Sequence, residues 1–252
     1  MKTILLTNDD GFFSPGIQVL KEYLEEKYEV YIVAPDKERS AVSMGLTLNR
    51  PLRINKIKEK EYAIDGTPAD CVNIAVQEIL PRRPDFLVSG LNLGENLAED
   101  IFYSGTVGAA FSGFLYDIPG LAVSMISDRG SYTQGGEYKL QEGARVTGRI
   151  LAKLLQLSGL KAVFNVNIPY RGNGKIMVTA PGHKRYRPDI VENTDPRGRK
   201  YYWIGTGDPE SIGGRGTDVW AIENGYITLS PLKYDLTNTE IMKELTGQFD
   251  ET

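Results

Sequence analysis

Asp9 and Asp10 stand side by side in Thr7-Asn8-Asp9-Asp10-Gly11, directly after the apolar run Ile4-Leu5-Leu6. Adjacent carboxylates repel, and a close pair is costly unless a cation or a shared proton neutralises it. The simplest partner is a divalent metal. Asn, Asp and Gly also favour turns, so an ordinary strand-to-helix turn competes for the same residues. An apolar run of this kind suits a parallel strand covered on both faces. Open α/β sheets bind ligands just outside the carboxyl ends of such strands, where the pair would fall.

The elements that must position the pair follow in order. Ser14, with Pro15 at the first helical position, opens a helix with Ile17, Leu20 and Leu24 on one face. A second strand, Val30 to Ala34, delivers Pro35-Asp36 and Lys37-Glu38-Arg39-Ser40 to the same edge, where Ser40 can share a crevice with the Asp pair. Leu46 to Ile64 reads as short strands at the periphery of the sheet. Thr67-Pro68-Ala69-Asp70 carries a cap, a first-turn proline and an acidic residue three after the cap, and starts a helix with Cys71 facing the core. A third strand over Pro84–Gly90 leads into Leu91-Asn92-Leu93-Gly94-Glu95-Asn96, a polar, glycine-spaced loop at a strand end. Beyond it, Ser104 or Thr106 opens a helix of small residues. The backbone N–H groups there, with two hydroxyls, would form a phosphate cradle, and an ordinary N-cap is the alternative. A strand after Pro119, a helix from Tyr138 to about Ser158 and a strand over Ala162–Asn167 complete the α/β pattern.

Composition removes several chemistries. With His183 and Cys71 the only histidine and cysteine, neither a His/Cys zinc site nor an internal disulfide can be assembled. Any metal should be oxygen-liganded, such as magnesium or manganese. P-loop, dinucleotide-binding and nucleophile-elbow motifs do not occur. The net charge of -4 argues against duplex nucleic-acid binding. No run of about 18 apolar residues suggests a membrane span, and the expected location is the cytoplasm. From about Arg171, glycine, proline and aromatic residues point to hairpins and long loops. Residues 1–170 are therefore read as the α/β core, and 171–252 as a segment packed on it. Within that segment His183 is expected at a surface or interface. Lys184, Arg185 and Arg187 are expected on a solvated face, or as an arm reaching an anionic substrate.

Together these stretches resemble the SurE family of survival-protein nucleotidases. The resemblance runs through Thr7–Gly11 with Pro15-Gly16-Ile17, Val33–Asp36 with Arg39-Ser40, Gly66–Cys71, Ser89–Asn92 with Gly94 and Asn96, and Tyr103–Val107. It continues through Asp195–Gly198 with Tyr202-Trp203, and Gly216-Thr217-Asp218 with Gly225-Tyr226. It implies a Rossmann-like sheet with an extended C-terminal hairpin segment, assembled as a homodimer or homotetramer. The implied activity is metal-dependent hydrolysis of nucleoside 5′-monophosphates, with 3′-monophosphates and short polyphosphate as further substrates. By motif position one divalent ion, magnesium or manganese, would be held by Asp9, Asp10, Ser40 and Asn92. Asp9 and Asp10 would also serve catalysis, while Asn8, Asn96, Ser104, Gly105 and Thr106 would bind the phosphate or substrate. Glu95 departs from the expected neutrality beside such a phosphate. A binding module without turnover is the rival function, and a phospho-aspartate intermediate the rival mechanism.

Overall fold

A computed structural model describes residues 1–128, 136–186, 189–205 and 209–249. Its centre is a nine-stranded sheet. In chain order the strands that build it are β1 (Thr3–Thr7), β2 (Glu29–Pro35), β3 (Ile54–Lys58), β4 (Glu61–Ile64), β5 (Phe86–Asn92), β6 (Gly120–Met125), β7 (Val163–Ile168), β8 (Ile176–Val178) and β13 (Ile227–Leu232). They lie in the order β3-β4-β2-β1-β5-β6-β7-β13-β8. The run from β4 to β7 is parallel throughout. Every residue of β1 and β6 is buried, which explains why these strands read as continuous apolar runs rather than alternating ones.

Helices cover both faces. Helices α1 (Pro15–Leu24) and α4 (Leu140–Leu154) pack over Ile4, Leu6, Val88 and Val123. On the other face α2 (Pro68–Ile74) and α3 (Gly105–Phe114) pack over Leu5, Val33, Leu87 and Ala122. Alternation within β1 thus supplies two cores from one strand. Thr67 and Asp70 form the expected reciprocal cap of α2, and Cys71 is buried in that second core. Ser14 precedes α1, but its hydroxyl accepts from Asn8 Nδ2 at 2.8 Å instead of capping the helix.

The chain after residue 170 is more mixed than its hairpin-rich sequence suggests. Strand β13 runs antiparallel beside β7 and parallel to β8, so this segment extends the central sheet. Thr217 caps a short helix, α5 (Asp218–Glu223), ahead of β13. Two small antiparallel pairs stand apart: β10 (Ile190–Thr194) with β11 (Lys200–Ile204), and β9 (His183–Arg185) with β12 (Glu210–Ile212). Helix α6 (Thr239–Phe249) comes last. No helix of the described residues is long and apolar enough to cross a membrane.

Candidate active site

The chain leaves β1 for β2 on one side and returns, after β4, to β5 on the other. The carboxyl ends of β1 and β5 therefore frame the switch-point crevice that open α/β sheets use for ligands. Asp9 and Asp10 follow β1, and Asn92 ends β5.

Four loops meet there through backbone contacts. In the first, Asn8 is wholly buried; its Nδ2 donates to the Gly11 carbonyl at 3.0 Å, and the Gly11 N–H returns to Asn8 Oδ1 at 3.2 Å. Gly11 has φ 98°, and a Cβ there would lie 3.0 Å from the carbonyl carbon of Lys37, so glycine permits the first loop to press on the second. The Arg39 N–H donates to the Asp9 carbonyl at 2.7 Å and ties the second loop, with Ser40 next in the chain, to the first. Ser40 is exposed, and its hydroxyl donates to Glu38 at 2.7 Å. From the third loop the Leu93 N–H donates to Asp10 Oδ2 at 3.3 Å, while Asn92 spends its amide nitrogen on the Gly94 carbonyl at 2.9 Å. That leaves the Asn92 carbonyl oxygen as the end available to a further partner.

The fourth loop closes over Asp9. The Thr106 N–H donates to Asp9 Oδ2 at 3.1 Å, and the Thr106 hydroxyl donates to Asp9 Oδ1. Ser104 Oγ caps α3 by accepting from the Val107 N–H at 3.1 Å. Both hydroxyls expected at the phosphate are thus engaged within the protein, and Gly105 opens the helix between them. A Cβ at Gly105 would lie 2.9 Å from both Cβ and Oδ2 of Asp9, so only glycine lets the helix start approach this closely. Gly105→Ala is expected to destabilise the fold by about 1–3 kcal/mol through this overpacking. Thermal denaturation measures it, and an unchanged melting temperature would show that α3 can recede without loss.

Burial raises the pKa of Asp9, an effect the Thr106 hydrogen bond partly offsets. Asp10 is pushed up to about 7, first by burial and then by the charge of Asp9, with Glu38 adding to it. Among the described residues no lysine or arginine forms an ion pair with Asp9, Asp10 or Glu38. The nearby Arg39 guanidinium is instead turned to Asp36 and the Asp65 carbonyl. Nor do three His, Cys, Asp or Glu side chains among the described residues cluster as metal ligands. A cation here would rest on the carboxylate pair completed by neutral oxygens. The donor chemistry fits that demand: Asp9 and Asp10 are carboxylates short of positive charge, and the Asn92 carbonyl oxygen and Ser40 hydroxyl are neutral oxygens of the kind a hard cation takes.

Other expectations resolve differently. Asn96 is buried and inward: its Nδ2 donates to Ser124 Oγ at 2.7 Å, and its N–H donates to Asn167 Oδ1 at 2.8 Å. These bonds hold the end of the β5 loop. His183 is exposed beside Glu99, with 3.1 Å between Nδ1 and Oε1. Lys184 is not on a solvated face; it is buried against Glu95 and Asp100. Arg185 is exposed and pairs with Glu210 at 3.4 Å, and Arg187 lies outside the described residues. Sequence reasoning missed two residues. Glu38 was visible two positions before Ser40, whereas Tyr138, whose hydroxyl donates to the Leu93 carbonyl at 3.0 Å, carried no local signal.

Residues 4–188 match the family model described as survival protein SurE. The 5′-nucleotidase SurE of Pelobacter propionicus is 44% identical over 248 residues, covering 96% of this chain and 98% of that protein. The 5′-nucleotidase SurE of Caldanaerobacter subterraneus subsp. tengcongensis is 41% identical, covering 97% of this chain and 96% of that protein. Among solved structures, the SurE protein from Aquifex aeolicus superposes with a TM-score of 0.82 at 40% identity, covering 98% of this chain and all of that one.

Proposed function

The chain belongs to the SurE survival-protein family, and from that premise we propose that Asp9 and Asp10, with Ser40 and Asn92, hold the divalent cation of a 5′-nucleotidase. The reaction is hydrolysis of a nucleoside 5′-monophosphate to nucleoside and phosphate. The observation that carries the metal assignment is the adjacent carboxylate pair at the switch point, Asp9 buried and Asp10 half-buried, with no ion-paired lysine or arginine among the described residues. When bound, a divalent cation supplies positive charge for the phosphoryl oxygens and lowers the pKa of water.

The chain's own groups divide the remaining work. Helix α3 presents its positive end at the crevice, and Gly105 contributes the first N–H of that helix toward a phosphoryl oxygen. Thr106 fixes Asp9 through both carboxylate oxygens. Asp10, engaged at one oxygen by Leu93, is the carboxylate that turns to orient the attacking water and take its proton. Attack by an aspartate itself would form an aspartyl phosphate, and trapping that species would overturn direct attack by water.

Magnesium or manganese is the ion proposed, and a cytoplasmic homodimer or homotetramer the working assembly. Exposed Tyr202, Trp203 and Ile204 on β11 support an assembly role for the segment after residue 170, which we read as packed on the core and not an independent domain. Phosphate release from AMP or GMP by the full chain should be lost in EDTA and restored by manganese or magnesium. Tight AMP binding without release would establish the binding module instead. Parallel assays with 3′-monophosphates and short polyphosphate define the substrate range.

A further inference from the structure

The loop bearing Asn92 is tethered at nearly every residue. Leu93 is held by Asp10 through its N–H and by Tyr138 through its carbonyl. Asn96 is held by Asn165, Asn167 and Ser124, which lie on β7 and β6. Between them stands Glu95, whose carboxylate accepts from the Lys184 ammonium. The same ammonium donates to Asp100 Oδ2 at 2.5 Å. The side chain of Lys184 is only 2% exposed, against 9% for Glu95 and 12% for Asp100. Burial works against its charge, and the two carboxylates more than offset that, holding the ammonium above its ordinary pKa.

Lys184 comes from β9, which belongs to the small β9–β12 pair and not to the central sheet. Further contacts from this strand and the residues beside it dock it on the turn after the loop. The Lys184 N–H and the His183 ring both reach Glu99, Tyr186 donates to Asp100, and Asp218 takes the N–H groups of Gly182 (2.7 Å) and Ala98 (2.9 Å). Asp100 in turn accepts from the Leu97 N–H at 3.1 Å, and its carbonyl accepts from the N–H of Ser104, the cap of α3. A buried lysine pair stabilises little by itself, because desolvation opposes the attraction, so its value lies in the geometry it fixes.

The geometry points to Lys184 as a positioning residue for the hydrolysis: through Glu95 and Asp100 it sets the Asn92–Asn96 loop and couples the β9–β12 arm to the metal site. The inference rests on the assignment of Asn92 to the cation, and it predicts that a change in the arm reaches the site as a change in metal affinity. Ligand-orienting partners of this kind typically alter metal affinity by about 10–100-fold when removed.

The test uses the full chain with Glu95→Gln and Lys184→Met. Glu95→Gln keeps Lys184 paired with Asp100 and stands as the decisive variant if Lys184→Met does not fold. Two readouts are taken: hydrogen exchange of the 92–96 amides in metal-free protein, and Mn²⁺ affinity by calorimetric titration without nucleotide. Faster exchange in that loop and Mn²⁺ binding weakened about tenfold or more are expected, with kcat at saturating Mn²⁺ and nucleotide changing less. Unchanged exchange together with unchanged Mn²⁺ affinity in folded Glu95→Gln overturns the proposal. Loss of thermal stability with Mn²⁺ affinity intact also overturns it, since the residue would then be merely structural. If the unmodified chain takes up no Mn²⁺, the metal assignment itself fails, and the exchange data still decide the tether.

Discussion

Asp9→Asn should lower phosphate release from a nucleoside 5′-monophosphate by about 10³-fold while leaving the chain folded, a loss of ~4 kcal/mol of transition-state stabilisation. The substitution removes one of the two charges proposed to hold the cation. It also unbalances the clasp on Asp9, because Thr106 donates both an N–H and a hydroxyl to the carboxylate and asparagine accepts through one oxygen only. The fold survives because the Thr106 hydroxyl can reverse its role and accept from the new amide. An orphaned donor would otherwise cost about 1–3 kcal/mol, and relief from burying a charge acts in the opposite direction. Steady-state phosphate release, circular dichroism and Mn²⁺ titration on one preparation separate the effects. Full turnover in this variant would remove Asp9 from the site.

The parts of this site that were legible in the sequence are the parts decided locally. Buried parallel strands betray themselves as apolar runs, so the ends of β1, β2 and β5 could be placed, and with them the polar loops after each; the ligand set Asp9, Asp10, Ser40 and Asn92 came only with the family resemblance and remains a proposal. The cap formed by Thr67 and Asp70 was equally readable, because its two hydrogen bonds span three residues. What could not be read was decided across the chain. Thr106 and Asp9 are 97 positions apart, and nothing near Thr106 says that its hydroxyl faces a carboxylate instead of a phosphate. Lys184 sits between two exposed neighbours in a three-residue strand, and its burial depends on carboxylates 84 and 89 positions away. The partners of Asn96 were unreadable for the same reason: they lie on β6 and β7. The late strand β13 was hidden because a strand that joins the sheet antiparallel to β7 has no repeated βα unit to announce it.

The same carboxylate pair that serves chemistry should be a liability to the metal-free protein, and Asp10→Asn exposes that. The pKa of Asp10 lies at about 7 in the folded chain, above its ordinary 3.8, because of burial and then the neighbouring Asp9. A carboxyl whose pKa is raised on folding binds its proton more tightly in the native state. Its contribution is therefore favourable at low pH and is lost as pH climbs from about 4 to about 7. The displacement corresponds to at most ~4 kcal/mol at full ionisation. Without metal, Asp10→Asn should melt near the unmodified chain at pH 4 and well above it at pH 8. Saturating Mn²⁺ should narrow that gap at pH 8. Free ion at 100 times its dissociation constant stabilises the native state by about 2.7 kcal/mol, and the variant forfeits most of that gain. Calorimetric melts at pH 4, 6 and 8, with EDTA and with Mn²⁺, measure both effects. A stability difference that does not grow with pH in EDTA would mean that Asp10 is not held in the strained, proton-seeking state from which its role as a metal ligand is proposed.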